Sequence, residues 1–241
     1  MKTGLFYSRR ILLNYYSNRV MLHSKRNEST KAVTYGFLSI RQHSGDYLHY
    51  INNLCAVLLR QNQNITALKL MQDSFPELKN TKNNHTRVGF VSFYIRSLCK
   101  NNRAAEASGY AETFLNGYKE LIFEFRWHTF FSAYLQSLMA QSKYHRIISI
   151  ARKYKLANLE KEYQLRAIYV PTIAWYIAVA EYMEDLINLD EFVEKVISPA
   201  VYLATDPHKC RLMIELAVEL HNHVPDIFLD NGVVKGLVWS V

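Results

Sequence analysis

The feature that most limits what this chain can fold into is a recurrence at an offset of 40 residues. VSFYIRSLCKNNRAAEA, residues 91–107, aligns with FSAYLQSLMAQSKYHRI, residues 131–147. Ser92 then matches Ser132, Tyr94 matches Tyr134, Ser97 matches Ser137 and Leu98 matches Leu138. The same offset upstream places Asn52, Leu58 and Ala67 under Ser92, Leu98 and Ala107. Downstream it places Thr172 under Ser132 and Ala178 under Leu138. One column therefore carries a small polar residue four times: Asn52, Ser92, Ser132 and Thr172.

Within a unit the pattern is helical. Phe90, Val91, Tyr94, Ile95 and Leu98 fall at the i, i+4, i+8 and i+1, i+5 positions of one helix face. The polar runs QNQN, KNNR and AQSK interrupt the helix, and a second apolar-periodic stretch follows each. Eight glycines and five prolines are present, with no glycine between residues 118 and 231, so the turns that hairpins of strands require are scarce there. Helix–turn–helix hairpins bury their apolar faces by stacking on one another, and the expected class is all-α: an α-solenoid of about four to five hairpins with a period near 40 residues. With 49% apolar residues the chain can bury a continuous core.

LCKNNRAAEA, residues 98–107, resembles the end of helix A, the turn and the start of helix B in a pentatricopeptide repeat, whose pattern runs L-C-K-x-G-R-x-x-E-A. Asn102 stands at the family's glycine and the other typed positions match. LLRQNQNITAL and SLMAQSKYHRI keep the apolar skeleton of that pattern, so the resemblance spans residues 46–195 with one specific unit and degenerate neighbours. It implies single-stranded RNA binding in mitochondria or plastids, with about one base contacted per repeat. The family's base-selecting position near the start of helix A falls on Ser92, and the offset carries it to Asn52, Ser132 and Thr172. Short side chains that both donate and accept suit that task. Residues of these types early in a helix are equally ordinary N-caps and first-turn residues, and Phe93, Tyr94, Phe131 and Tyr134 serve either as base-stacking platforms or as core.

Charge divides the chain. Residues 1–45 hold eight Lys/Arg and one acid, residues 46–180 hold 17 basic and 9 acidic residues, and residues 181–241 hold 4 basic and 11 acidic. The N-terminal segment, Arg-rich and free of acid before Glu28, has the pattern of a mitochondrial matrix-targeting sequence, cleaved or disordered in the mature protein. Residues 46–195 are then the repeats, and residues 196–241 an acidic helical cap and tail. The middle of the chain supplies the cations that would meet phosphate: Arg60, Arg96, Lys100, Arg103, Lys143 and Arg146, followed by Arg152, Lys153 and Lys155. These form an interface if they share a face and a solvated surface if they do not.

Other chemistry finds little to work with. There is no phosphate-cradling glycine loop, nucleophile elbow or paired-cysteine zinc motif, so neither enzyme activity nor a cofactor is expected. His208, Cys210, His221 and His223 lack the spacing of a zinc site. Cys55, Cys99 and Cys210 are widely spaced and odd in number, which fits a reducing compartment. The longest apolar run, IYVPTIAWYIAVA, falls short of a bilayer span. Two partner classes remain: a mitochondrial transcript or rRNA, with a ribosomal or RNA-processing protein beside it, or a protein segment held by a scaffold of tetratricopeptide-like kind. The placement of the Asn52, Ser92, Ser132 column separates them. If the column and the basic residues share one concave face, RNA binding gains; if the column is buried or that face is acidic, RNA binding loses.

Overall fold

The computed structural model describes residues 2–26, 28–41, 47–125, 127–156, 169–203 and 207–223. Among the described residues there are eleven α-helices and no strand. They are α1 (Lys2–Lys25), α2 (Ser29–Arg41), α3 (Tyr47–Arg60), α4 (Asn64–Asp73), α5 (Asn84–Lys100), α6 (Ala104–Phe125), α7 (Trp127–Met139), α8 (Tyr144–Lys153), α9 (Tyr169–Met183), α10 (Leu189–Leu203) and α11 (Pro207–His221), with a 3₁₀ turn at Phe75–Lys79. No described helix is long and apolar enough to cross a membrane. The chain divides into two compact units, residues 1–134 and 135–241.

The polar runs are turns of one kind. Asn62, Asn102 and Ser142 have φ of 56°, 58° and 53°, the left-handed region, at a spacing of 40 residues. In each turn the amide one residue further on reaches back five positions to a leucine carbonyl: Gln63 to Leu58 at 3.0 Å, Arg103 to Leu98 at 2.9 Å and Lys143 to Leu138 at 3.0 Å. This is the six-to-one bond of a Schellman helix ending, which satisfies carbonyls that the helix leaves without partners and turns the chain into the next helix. Glycine is the usual residue at the left-handed position, and asparagine is the side-chain-bearing residue that tolerates it best. That is why asparagine can stand at position 102, where the pentatricopeptide pattern that it resembles has glycine, and why a glycine-poor chain still makes tight turns. The burial pattern over residues 61–69 recurs unchanged over 101–109 and 141–149.

In the first unit α3 packs on α4 and on α5, and α5 packs on α4 and α6. Leu48, Ile51, Leu54, Cys55 and Leu58 from α3, Ala67 and Met71 from α4 and Phe90 from α5 form one core. Phe75, on the 3₁₀ turn, meets Phe90, Tyr94 and Tyr110 edge-on or tilted at 5.3–6.1 Å between ring centres. Tyr94 is thus held in an aromatic cluster, and Phe131 and Tyr134 are buried. Phe131 and Tyr134 therefore belong to the core, while Tyr94 stays half-buried within its aromatic cluster.

Residues 2–41 are part of this unit. α1 packs on α2, and both pack on α3. Leu13, Val20, His23, Ala32 and Ser39 are buried. Gly36 permits the close approach of α2 to α3: a Cβ there would lie 2.6 Å from Leu54 Cδ1. His23 pairs with Glu28 and stacks on Tyr35. α1 and α2 thus form a helical hairpin within residues 2–41.

In the second unit α9 packs on α8, α10 and α11. Glu219 on α11 accepts from Gln136 at 2.9 Å and from the Tyr176 hydroxyl at 3.1 Å, and Trp175 Nε1 donates to the Val196 carbonyl at 3.0 Å. Asn188 and Glu191 bond each other's backbone amides at 3.0 Å, a capping box that starts α10. The Tyr144 hydroxyl lies 2.8 Å from His223 Nδ1, and burial holds that imidazole below its ordinary pKa against the pull of Glu219. Residues 224–241, the tail of the expected acidic cap, lie outside the described residues.

The turn geometry sets an expectation for stability. Replacing Ser142 by glycine removes a left-handed strain and stabilises the fold by about 0.5–1 kcal/mol, whereas valine at the same position costs about 1–2 kcal/mol. Urea unfolding of both variants measures this. Equal midpoints for the two would contradict the turn assignment.

Candidate nucleic-acid interface

The small polar column is buried. Asn52 is 5% exposed, and Ser92 and Ser132 are 0% exposed. Asn52 and Ser132 bond across neighbouring helices, and Ser92 bonds within α5. Asn52 Nδ2 donates to the Thr86 carbonyl on α5 at 3.1 Å, and Ser92 Oγ donates to the Val88 carbonyl at 2.7 Å. Ser132 Oγ accepts from Arg96 Nη2 at 2.8 Å. The column is thus a seam between successive helices, and a base has no access to it. These three residues do not present base-reading side chains on a surface.

The fourth member is displaced. After α9 the left-handed residue is Asp185, φ 54°, and the Leu186 amide reaches back to the Glu181 carbonyl at 2.9 Å. Matching this turn to the one after α7 gives an offset of 43, from Ser142 to Asp185, which places Trp175 and not Thr172 under Ser132. Thr172 is half-buried in the first turns of α9.

The six cations named from sequence separate into three groups. Arg60 and Arg96 are half-buried and tied to hydroxyls, Arg60 Nη1 donating to Ser24 Oγ at 2.6 Å and Arg96 to Ser132. Arg103 is exposed and grips Glu106 through Nε at 2.9 Å and Nη2 at 2.6 Å, which cancels its charge locally. Lys100, Lys143 and Arg146 are exposed.

Lys143 and Arg146 open a continuous basic face on α8. Ile147, Ile148, Ile150 and Ala151 turn inward on this helix. His145, Arg146, Ser149, Arg152 and Lys153 are exposed. At 100° per residue these five fall within an arc of roughly 120°. Lys143 precedes the helix and Lys155 follows it, both exposed, and no acid occurs between residues 143 and 155. Arg103 has its carboxylate partner, but Lys143, Arg152, Lys153 and Lys155 have no ion pair among the described residues; Lys153 lies over the Tyr154 ring at 5.2 Å. Arg152 and Lys153 also offset the negative end of the helix dipole. The charge of this face is one that would suit a polyanion. Free ammonium and guanidinium groups at helical spacing neutralise successive phosphates without reading a base.

The polar turns have a role of their own. Asn101 Nδ2 donates to the Ser97 carbonyl at 2.7 Å and to the Asn64 carbonyl of the preceding hairpin at 2.9 Å, and Gln141 Nε2 donates to the Ser137 carbonyl at 2.7 Å. Amides at a 40-residue spacing thus close the ends of α5 and α7, a signal present in the KNNR and AQSK runs. No group of three metal-capable side chains occurs among the described residues, and the side chains of His208 and Cys210 lie outside the described part. No family model, curated protein or solved structure matches the chain.

The seam assignment has a measurable consequence. Ser132→Ala removes one acceptor of a half-buried guanidinium and a bond between helices, and costs about 1–2 kcal/mol in folding stability. Ser92→Ala, which loses only a hydroxyl bond to its own helix, costs less than about 1 kcal/mol. Thermal and urea unfolding measure both. A neutral Ser132→Ala would contradict the seam.

Proposed function

We propose that this chain is a pentatricopeptide-like, RNA-binding hairpin array of α-solenoid type in the mitochondrial matrix, acting on the maturation, stability or translation of organelle transcripts. It holds single-stranded RNA by its sugar–phosphate backbone. The observation that carries this reading is the face of α8, where Lys143, Arg152, Lys153 and Lys155 stand exposed without carboxylate partners among the described residues. The helical hairpins and the LCKNNRAAEA turn support the family resemblance, and the Arg-rich N-terminal segment supports the compartment. Backbone contact alone is weak and tolerant of sequence, so the RNA would be met within a larger ribosomal or RNA-processing assembly.

The burial of Asn52, Ser92 and Ser132 favours a second reading, a protein scaffold or assembly factor of the matrix. A column that holds helices together serves a scaffold as well as an RNA binder.

Binding of a single-stranded RNA across a salt series separates the two. Arg152→Ala with Lys153→Ala weakens binding severalfold and lowers the steepness of the salt dependence by about 0.7 for each phosphate that is no longer neutralised. Unchanged affinity and salt slope in the double variant would overturn the RNA reading of this face and leave the scaffold.

A further inference from the structure

α1 is apolar on two sides. Its inner arc carries Leu13, Val20 and His23, all buried, and packs on α2 and α3. Its outer arc exposes Ile11 at 64%, Leu12 at 40%, Tyr15 at 44% and Met21 at 51%. At 100° per residue this outer arc spreads over roughly 180°, with Ile11 and Tyr15 near the centre, the half-buried Leu22 between them, and Arg19 and Leu12 toward one edge. Asn14 and Asn18 are interspersed, and Arg26 follows the helix in the same sector. Arg19 lies over the Tyr15 ring at 5.1 Å from its centroid. The helix carries Lys2, Arg9, Arg10, Arg19 and Lys25 and no acid in 24 residues.

Isolated exposed apolar residues need no explanation, but four of this size on one side of an acid-free helix form a patch. We propose that the outer face of α1 docks on an anionic lipid bilayer, lying in its interface. The charge of the helix requires an anionic partner. The breadth of the face selects a bilayer over a protein groove, because a groove takes a narrow ridge of anchors at i, i+3, i+4 and i+7, whereas the headgroup layer takes a wide face mixing apolar, amide and basic groups. Tyr15 suits the same layer, with its ring in the apolar boundary and its hydroxyl in water. The helix is not apolar enough to cross, so it lies on the surface. This docking is independent of RNA binding by α8.

Flotation of the full chain with phosphatidylcholine vesicles, with and without cardiolipin, tests the proposal. The chain should float with cardiolipin vesicles and remain behind with phosphatidylcholine alone, and added salt should release it. Ile11→Ser with Tyr15→Ser should weaken the partition about tenfold or more; because the Tyr15 ring also meets Tyr35 at 6.3 Å, Ile11→Ser alone serves as the stability control, weakening the partition severalfold while unfolding at the denaturant concentration of the parent. Arg19→Glu with Arg26→Glu should abolish the cardiolipin dependence by a route that spares the apolar face. Arg152→Ala with Lys153→Ala should float as the parent does. Absence of flotation, flotation indifferent to cardiolipin, or unchanged partition of the Ile11/Tyr15 variant would overturn the proposal.

Discussion

The bond from the amide after a left-handed residue back to the carbonyl of Leu58, Leu98 or Leu138 is the constraint on which the hairpins depend. It ends α3, α5 and α7 at a defined residue and sends the chain back without glycine. Once Leu98 is the closing residue of α5, Ser92, six residues earlier, has a set direction, and so do Asn52 relative to Leu58 and Ser132 relative to Leu138. All three point into the packing between helices. The turn therefore decides where the small polar residues lie, and that position decides what they can do.

The hairpins were legible in the sequence because they rest on signals of large amplitude: apolar positions at helical spacing and polar breaks 40 residues apart. Tyr134 and Phe131 were open between core and surface, and packing placed them in the core. The Asn52, Ser92, Ser132 column was legible as a column but not as a seam. Serine and asparagine occur both inside and outside, and whether a hydroxyl meets a helix carbonyl, as Ser92 meets Val88, or a ligand is decided by the neighbouring helix. The fourth hairpin slipped out of register for a related reason. A turn shifted by three residues keeps the apolar periodicity nearly intact, so hydropathy alone could not separate Thr172 from Trp175.

Charge was informative in sum and misleading in detail. The basic balance of residues 46–180 was readable, yet Arg60 and Arg96 hold hydroxyls and Arg103 holds Glu106. What remains is α8, where the sequence between Lys143 and Lys155 offers no acid to answer its cations. The N-terminal segment shows the converse. Its arginines suggested an address, while Leu13 and Val20 on α1 and Ala32 on α2, placed to meet neighbouring helices, were hidden in a composition that reads as a leader.

Two kinds of residue are thereby separated, a buried seam within the hairpins and an exposed basic face to which we assign the proposed RNA contact. Mapping ultraviolet crosslinks between bound single-stranded RNA and the peptides of the full chain tests this division most directly. Crosslinked nucleotides should fall on residues 143–155, with none on the peptides carrying Asn52, Ser92 or Ser132. Crosslinks on those seam peptides with none on α8 would contradict it.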